Sequence, residues 1–217
     1  MTEEVSFRGS AGQLRGVVHG SSPKAVILCH GFTSSKDNKA GWAEELAKDF
    51  TVLRFDFSGH GESNGKLEDI TLTSLIKDTQ CAVGFLKKRG AKSIGIAGHS
   101  LGASVTILSA SVAKAICPIE PVTDFSSVKL NPYGLKKFDE DARKYDIYSM
   151  LKTVKTPVLF IHGDKDDVVP LWHSQKALSF APPGSRLEVI KGMTHDMQET
   201  GYEKVVALTK KWFNQAL

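Results

Sequence analysis

Ser93-Ile-Gly-Ile-Ala-Gly-His-Ser100-Leu-Gly-Ala-Ser-Val-Thr-Ile-Leu108 is the stretch from which the fold can be read. Ser93–Ala97 is a short apolar run of strand character, and the small, apolar residues from Ala103 onward start a helix. Between them Gly98 and Gly102 flank Ser100 in a G-x-S-x-G pattern. The pattern alone is weak; its setting carries the weight. A strand that passes at once into a helix needs a tight turn, and two positions without a Cβ let two backbones pass closely. Ser100 would then stand at the strand end with its hydroxyl above the sheet, near a helix N-terminus that favours negative charge. The bland alternative is a tight turn with a capping serine.

The same rhythm continues on both sides. Runs rich in Val, Ile, Leu and Phe recur at 24–29, 51–57, 114–119, 157–162 and 186–190, mostly separated by segments of helical period. In 69–89, Leu72, Leu75, Ile76, Thr79, Val83 and Leu86 share one face, with Asp69 or Thr71 as cap and Gly90 just past the end. Tyr202, Val205, Val206, Thr209, Trp212 and Phe213 repeat that pattern. Strands alternating with helices predict an α/β class and a mostly parallel sheet with helices on both faces. The first twenty residues differ: Val5–Arg8 and Leu14–His19 alternate around Gly9–Gly12, which predicts an antiparallel hairpin on the sheet edge. Residues 1–217 therefore read as one domain. The break in rhythm at about 120–150, which is charged and aromatic, reads as a small cap or binding loop.

Composition excludes several classes. A chain of 217 residues buries about 70% of its unfolded surface, so its core needs no disulfide or structural metal. Hydrophobic residues at 41% and charged residues at 24% argue against a disordered or fibrous chain. No apolar run is long enough to span a bilayer. The acidic start Met1-Thr-Glu-Glu-Val carries no leader pattern. Cys29, Cys81 and Cys117 read as reduced thiols, and together these features predict a cytoplasmic protein with no membrane partner. The net charge of +4 is spread along the chain. Lys87-Lys88-Arg89 and Lys210-Lys211 read as solvated helix charges, so no nucleic-acid partner is expected.

A serine hydroxyl needs a base. His195, in Gly192-Met-Thr-His-Asp-Met after the last strand-like run, would share Ser100's edge of the sheet. His30 and His162 end strands before glycine and read as backbone-bonded; His99 would point away from Ser100. The base in turn needs an acid. Asp164-Lys-Asp166-Asp167 follows the strand Val158–Ile161, and its spacing favours Asp166. Asp167 remains an alternative, as do Glu120 and Asp124 after the preceding strand.

The order Ser100, Asp166, His195 matches the α/β-hydrolase arrangement, and the chain resembles that superfamily throughout. His30-Gly-Phe-Thr-Ser-Ser, Asp56-Phe-Ser-Gly-His-Gly-Glu-Ser63, Gly98–Gly102 and His162-Gly-Asp-Lys-Asp166-Asp-Val-Val-Pro carry the resemblance. The first two are similar to those of cinnamoyl/feruloyl esterases and monoacylglycerol-lipase-like carboxylesterases. The resemblance implies an eight-stranded sheet, Ser100 as nucleophile, Asp166 as acid and His195 as base. It also implies an oxyanion hole from the backbone N–H groups of Phe32 and Leu101, and chemistry that requires no metal or cofactor. The 120–150 segment looks shorter than the cap of cinnamoyl esterases, so their substrate preference does not carry over.

The expected activity is that of a serine carboxylesterase on small, soluble acyl esters, aromatic ones included. Phe125, Tyr133 and Trp172 are candidates to contact the substrate, although Trp172 could equally be packing. The many charges of the cap suit soluble substrates rather than a lipid interface. An acyl-CoA thioesterase or a peptidase would use the same residues, and a non-catalytic binding protein on the same fold is a third reading. The sequence leaves open whether the chain is a monomer or a homodimer.

Overall fold

The computed structural model describes residues 2–38, 40–128, 134–197 and 200–217. Eight strands form one sheet: β1 (Thr2–Arg8), β2 (Gln13–His19), β3 (Lys24–Cys29), β4 (Thr51–Phe55), β5 (Ser93–His99), β6 (Ala115–Ile119), β7 (Leu159–Gly163) and β8 (Arg186–Ile190). Their order across the sheet is β1-β2-β4-β3-β5-β6-β7-β8. The hairpin strand β2 pairs antiparallel with β1 and β4, and every other pairing is parallel. Seven α-helices lie among the described residues: α1 (Ala40–Leu46), α2 (Leu72–Lys88), α3 (Leu101–Leu108), α4 (Lys136–Ala142), α5 (Ile147–Thr153), α6 (Trp172–Leu178) and α7 (Thr200–Ala216).

Alternation along each strand builds two cores, one on each face. Ala25, Ile27 and Cys29 of β3 join α2 and α3, whereas Val26 and Leu28 join α1 and α7. In β7, Phe160 takes the first side while Leu159 and Ile161 take the second. With both faces covered, the central strands read as unbroken apolar runs. The face of α2 is the one its period predicts, and its cap is Thr71 rather than Asp69. Thr71 Oγ1 accepts the Ser74 N–H, and Ser74 Oγ accepts the Thr71 N–H, each at 3.0 Å.

This topology makes a crevice. From β3 the chain runs outward to β4, and from β5 it runs the other way to β6, so the loops after β3 and β5 diverge at the carboxyl end of the sheet. The segment between β6 and β7 carries α4 and α5 and is tied to α2. Asp141 accepts the Thr73 N–H at 2.7 Å and its hydroxyl at 3.0 Å, and Tyr145 Oη lies 2.7 Å from Thr73 Oγ1. No helix among the described residues is long and apolar enough to cross a membrane. Cys29 and Cys117 are buried free thiols, pushed up to about 12 chiefly by burial.

Buried histidines pin the loops. His30 Nδ1 lies 2.7 Å from the Gly31 carbonyl, and its Nε2 accepts the Phe57 N–H at 3.0 Å. That bond draws Phe57 out of the run 51–57, which ends as a strand at Phe55. His173 Nδ1 accepts the Thr123 N–H at 3.1 Å. Burial, then the nearness of His60 and His162 respectively, lowers both histidines to about 4. Histidines of the unfolded chain titrate near pH 6.5 and would bind protons that the native ones refuse. Their stabilising share is therefore complete above about pH 6.5 and is lost as pH falls toward 4. In urea unfolding between pH 7 and 4.5 these two histidines should add nearly two protons, about 2.7 kcal/mol per pH unit, to whatever slope the likewise lowered His19 and His60 contribute. His173→Gln should remove about one of the two.

Candidate active site

The turn after β5 is built by close backbone contact. A Cβ on Gly98 would stand 2.3 Å from the Gly102 carbonyl oxygen, and one on Gly102 would stand 2.4 Å from the carbonyl oxygens of Cys29 and His30. Neither position can carry a side chain while β5, α3 and the loop after β3 keep these distances. The turn forces Ser100 to φ 55°, ψ −119°, with its N–H held by the Ile119 carbonyl at 2.9 Å. This is a costly backbone for a residue with a Cβ. Thr33, Ser100, Glu120 and Met197 are the non-glycine residues with positive φ among those described. Each follows a strand at the same sheet edge, after β3, β5, β6 and β8 respectively. The strain is gathered in one place.

Ser100 Oγ lies 3.0 Å from His195 Nε2, and His195 Nδ1 lies 2.8 Å from Asp166 Oδ2. The three residues picked from the sequence thus form one hydrogen-bonded chain across 95 residues of sequence. Ser100 is 5% exposed and the Asp166 carboxylate is buried. Asp166 Oδ1 accepts the N–H groups of Val168 and Val169 at 2.9 and 2.7 Å, which fixes the loop. Burial works against ionisation of Asp166, but hydrogen bonds from His162, His195 and Val169 N–H outweigh it and hold the carboxyl below its usual range. His162 Nε2 sits 2.8 Å from the Val169 carbonyl and 3.4 Å from Asp166 Oδ2, so that nitrogen carries the hydrogen. Its Nδ1 then accepts from Ser174 Oγ at 2.7 Å.

The loops carrying Asp166 and His195 are tied together at their backbones. Asp164 Oδ1 accepts the Gly192 N–H at 2.6 Å, and Lys165 N–H donates to the Met193 carbonyl at 3.1 Å. A Cβ on Gly163 would stand 2.1 Å from the Met193 carbonyl oxygen, so only glycine permits this approach. None of these contacts is legible in the spacing of the sequence.

The alternative acids separate. Asp167 is exposed, and Asp124 turns to the Ser126 N–H and hydroxyl at 3.0 and 2.6 Å. Glu120 is fully buried and comes within 3.5 Å of His195 Nδ1. His99, expected to point away from Ser100, has its Nε2 3.1 Å from Glu120 Oε2 and its ring 4.7 Å from that of His195. The sequence reading missed this Glu120–His99 pair; the position of Glu120 directly after β6 was its only signal. His99, Glu120 and His195, and likewise Glu120, His162 and Asp166, bring ligand atoms within 4.8 Å of one another, as a metal would require. In each set these atoms already bond to one another or to neighbouring groups.

Around the serine, a Cβ on Gly31 would lie 3.5 Å from Ser100 Cβ, which brings the loop carrying Phe32 alongside. Leu101 opens α3 at the turn itself. Phe125 packs edge-on to Phe138 at 6.3 Å, and Phe138 packs on Phe32 at 6.0 Å, so the segment after β6 reaches this loop through aromatic rings. Trp172 is 37% exposed and stacks on the His173 ring at 3.9 Å, so it is not buried packing. Tyr133 lies outside the described residues.

Residues 24–118 match the family model described as alpha/beta hydrolase fold. The palmitoyl-protein thioesterase ABHD10 of Bos taurus is 27% identical over 216 aligned residues, covering 83% of this chain and 69% of that protein. A thermostable monoacylglycerol lipase of a Bacillus species is 31% identical over 103 residues, covering 47% of this chain and 41% of that protein. The chain spans 66% of the length of the first curated relatives it matches. Est1E of Butyrivibrio proteoclasticus, solved with ferulic acid bound, is similar at a TM-score of 0.88 and 23% identity, covering 98% of each chain. The family match covers β3 to β6, and the strands and helices on either side complete the same architecture: the chain has the alpha/beta hydrolase fold.

Proposed function

We propose that the chain is a serine carboxylesterase acting on small, soluble acyl esters through an acyl-enzyme. The observation that carries this reading is the hydrogen-bonded chain from Ser100 Oγ through His195 to Asp166. In the first half-reaction Ser100 Oγ attacks the ester carbonyl and its proton passes to His195 Nε2. The N–H groups of Phe32 and Leu101 take the oxyanion. Such a donor is worth about 10²–10³ in rate where it has been removed. Asp166, ionised well below neutral pH, steadies the imidazolium through Nδ1–H. Collapse breaks the ester C–O bond, and Nε2 returns the proton to the leaving alcohol. In the second half, His195 takes a proton from water, which attacks the acyl carbonyl, and the acid leaves as Ser100 is reprotonated.

The charges on α4 and its surroundings favour soluble substrates, and the half-buried Phe125 and Phe32, backed by the core residue Phe138, offer an apolar wall for an acyl group. The ferulic acid bound to Est1E is in keeping with an aromatic acyl group. A second reading, thioester hydrolysis by the same residues, is favoured by the similarity to a palmitoyl-protein thioesterase.

Intact mass after fluorophosphonate treatment tests the mechanism. Wild type should gain a single adduct and Ser100→Ala none, with unfolding free energies within about 1 kcal/mol of each other. A folded wild type that stays unlabelled overturns the reading. Matched ester, thioester and amide substrates then separate the bond types. Phe125→Ala should raise KM for an aromatic ester by roughly 10-fold, while leaving turnover of a small activated acetate near wild type.

A further inference from the structure

We infer that Glu120 is a second acceptor for the Nδ1 hydrogen of His195, a positioning residue that steadies the same imidazole as Asp166. The inference rests on the reading of Ser100, His195 and Asp166 as the catalytic groups. Glu120 follows β6, which lies between β5, the strand that ends at Ser100, and β7, the strand before Asp166. Its backbone is held from both sides: Ser100 N–H bonds the Ile119 carbonyl, and Glu120 N–H bonds the Ile161 carbonyl, each at 2.9 Å. Its φ is 52°, one of the strained values at this edge.

The carboxylate is 0% exposed, and burial of such a group is costly unless it is well hydrogen-bonded. Oε1 accepts the Gly163 N–H at 3.1 Å. That bond alone would explain a structural anchor. Oε2 has a different neighbourhood. It lies 3.1 Å from His99 Nε2 and 3.5 Å from His195 Nδ1, the nitrogen that also faces Asp166 Oδ2 at 2.8 Å. A slight turn of the imidazole transfers its N–H from one carboxylate to the other. When His195 takes the proton of Ser100, the new positive charge forms between two acidic side chains instead of beside one. His99, next to Ser100 in sequence, holds Oε2 on that side.

Loss of the acid costs about 10⁴ in kcat where a triad depends on one carboxylate. Here Asp166→Asn should retain part of that factor, falling by no more than about 10²-fold in kcat on an activated acetate. Asp166→Asn/Glu120→Gln should fall by the full factor of about 10⁴, while Glu120→Gln alone loses less than about 10-fold, a strongly non-additive cycle. A single variant Asp166→Asn as inactive as the double variant overturns the inference. The wild type and Ser100→Ala are assayed alongside: no turnover by wild type defeats the esterase reading itself, a result distinct from failure of the cycle.

A purely structural Glu120 would lower stability in both backgrounds alike, so thermal unfolding of all four proteins is compared with the rates. Should Glu120→Gln not fold, Glu120→Asp replaces it, keeping the buried carboxyl group but shortening its reach. A second readout is the downfield Nδ1–H proton resonance of His195. It should persist in Asp166→Asn and vanish in the double variant; its disappearance in Asp166→Asn alone overturns the proposal.

Discussion

The close passage of three backbones at residues 98–102 is the constraint on which the site depends. Gly98 lies against the Gly102 carbonyl, and Gly102 lies against the carbonyls of Cys29 and His30. Because those contacts leave no room for a Cβ, β5 turns into α3 without a loop, and Ser100 accepts a backbone conformation that costs energy. The sheet supplies what opposes that cost. Val26, Ile27, Leu28, Ile94, Ile96 and Ile116 are buried on the two faces immediately below the turn. Strain of order 1–3 kcal/mol per residue is sustainable there because the packed strands over-determine the geometry.

A second level of organisation lies in the loops after β6, β7 and β8. These loops carry Glu120, Asp166 and His195, and they are bound to one another by backbone contacts through Gly163, Asp164 and Met193. Asp166 and His195 are therefore held in fixed register with each other. Each histidine nearby also has a defined role in hydrogen bonding. His162 supports Asp166 and is itself held by Ser174, while His30 ties the loop after β3 to Phe57. Preorganisation of this kind lets a carboxylate stabilise a transient imidazolium without rearrangement at the moment of proton transfer.

Much of this was legible in the order of residues, and the exceptions are instructive. The runs 24–29 and 186–190 coincide with β3 and β8, and the buried face of α2 is the one its period foretells, because burial on a sheet or helix face leaves a direct imprint on composition. The run 51–57 overran its strand because hydrophobicity continues into Phe57 after the backbone has left the ladder for His30. For His99 the limit of the sequence is of a related kind. Its neighbours in sequence say that it abuts Ser100, but where its ring goes depends on Glu120, whose carboxylate is supplied by another strand.

From the sequence alone came the alternating α/β plan, the antiparallel edge hairpin, the strand–turn–helix around Ser100, and the choice of Asp166 and His195 as its partners. These are local patterns or follow from loops sharing one end of a parallel sheet. Tertiary structure alone decided that Trp172 is surface-exposed and that a second buried carboxylate, Glu120, stands beside His195. The physical reason is that hydrogen-bond partners are chosen by distances of about 3 Å between groups far apart in the chain, and periodicity carries no record of such distances.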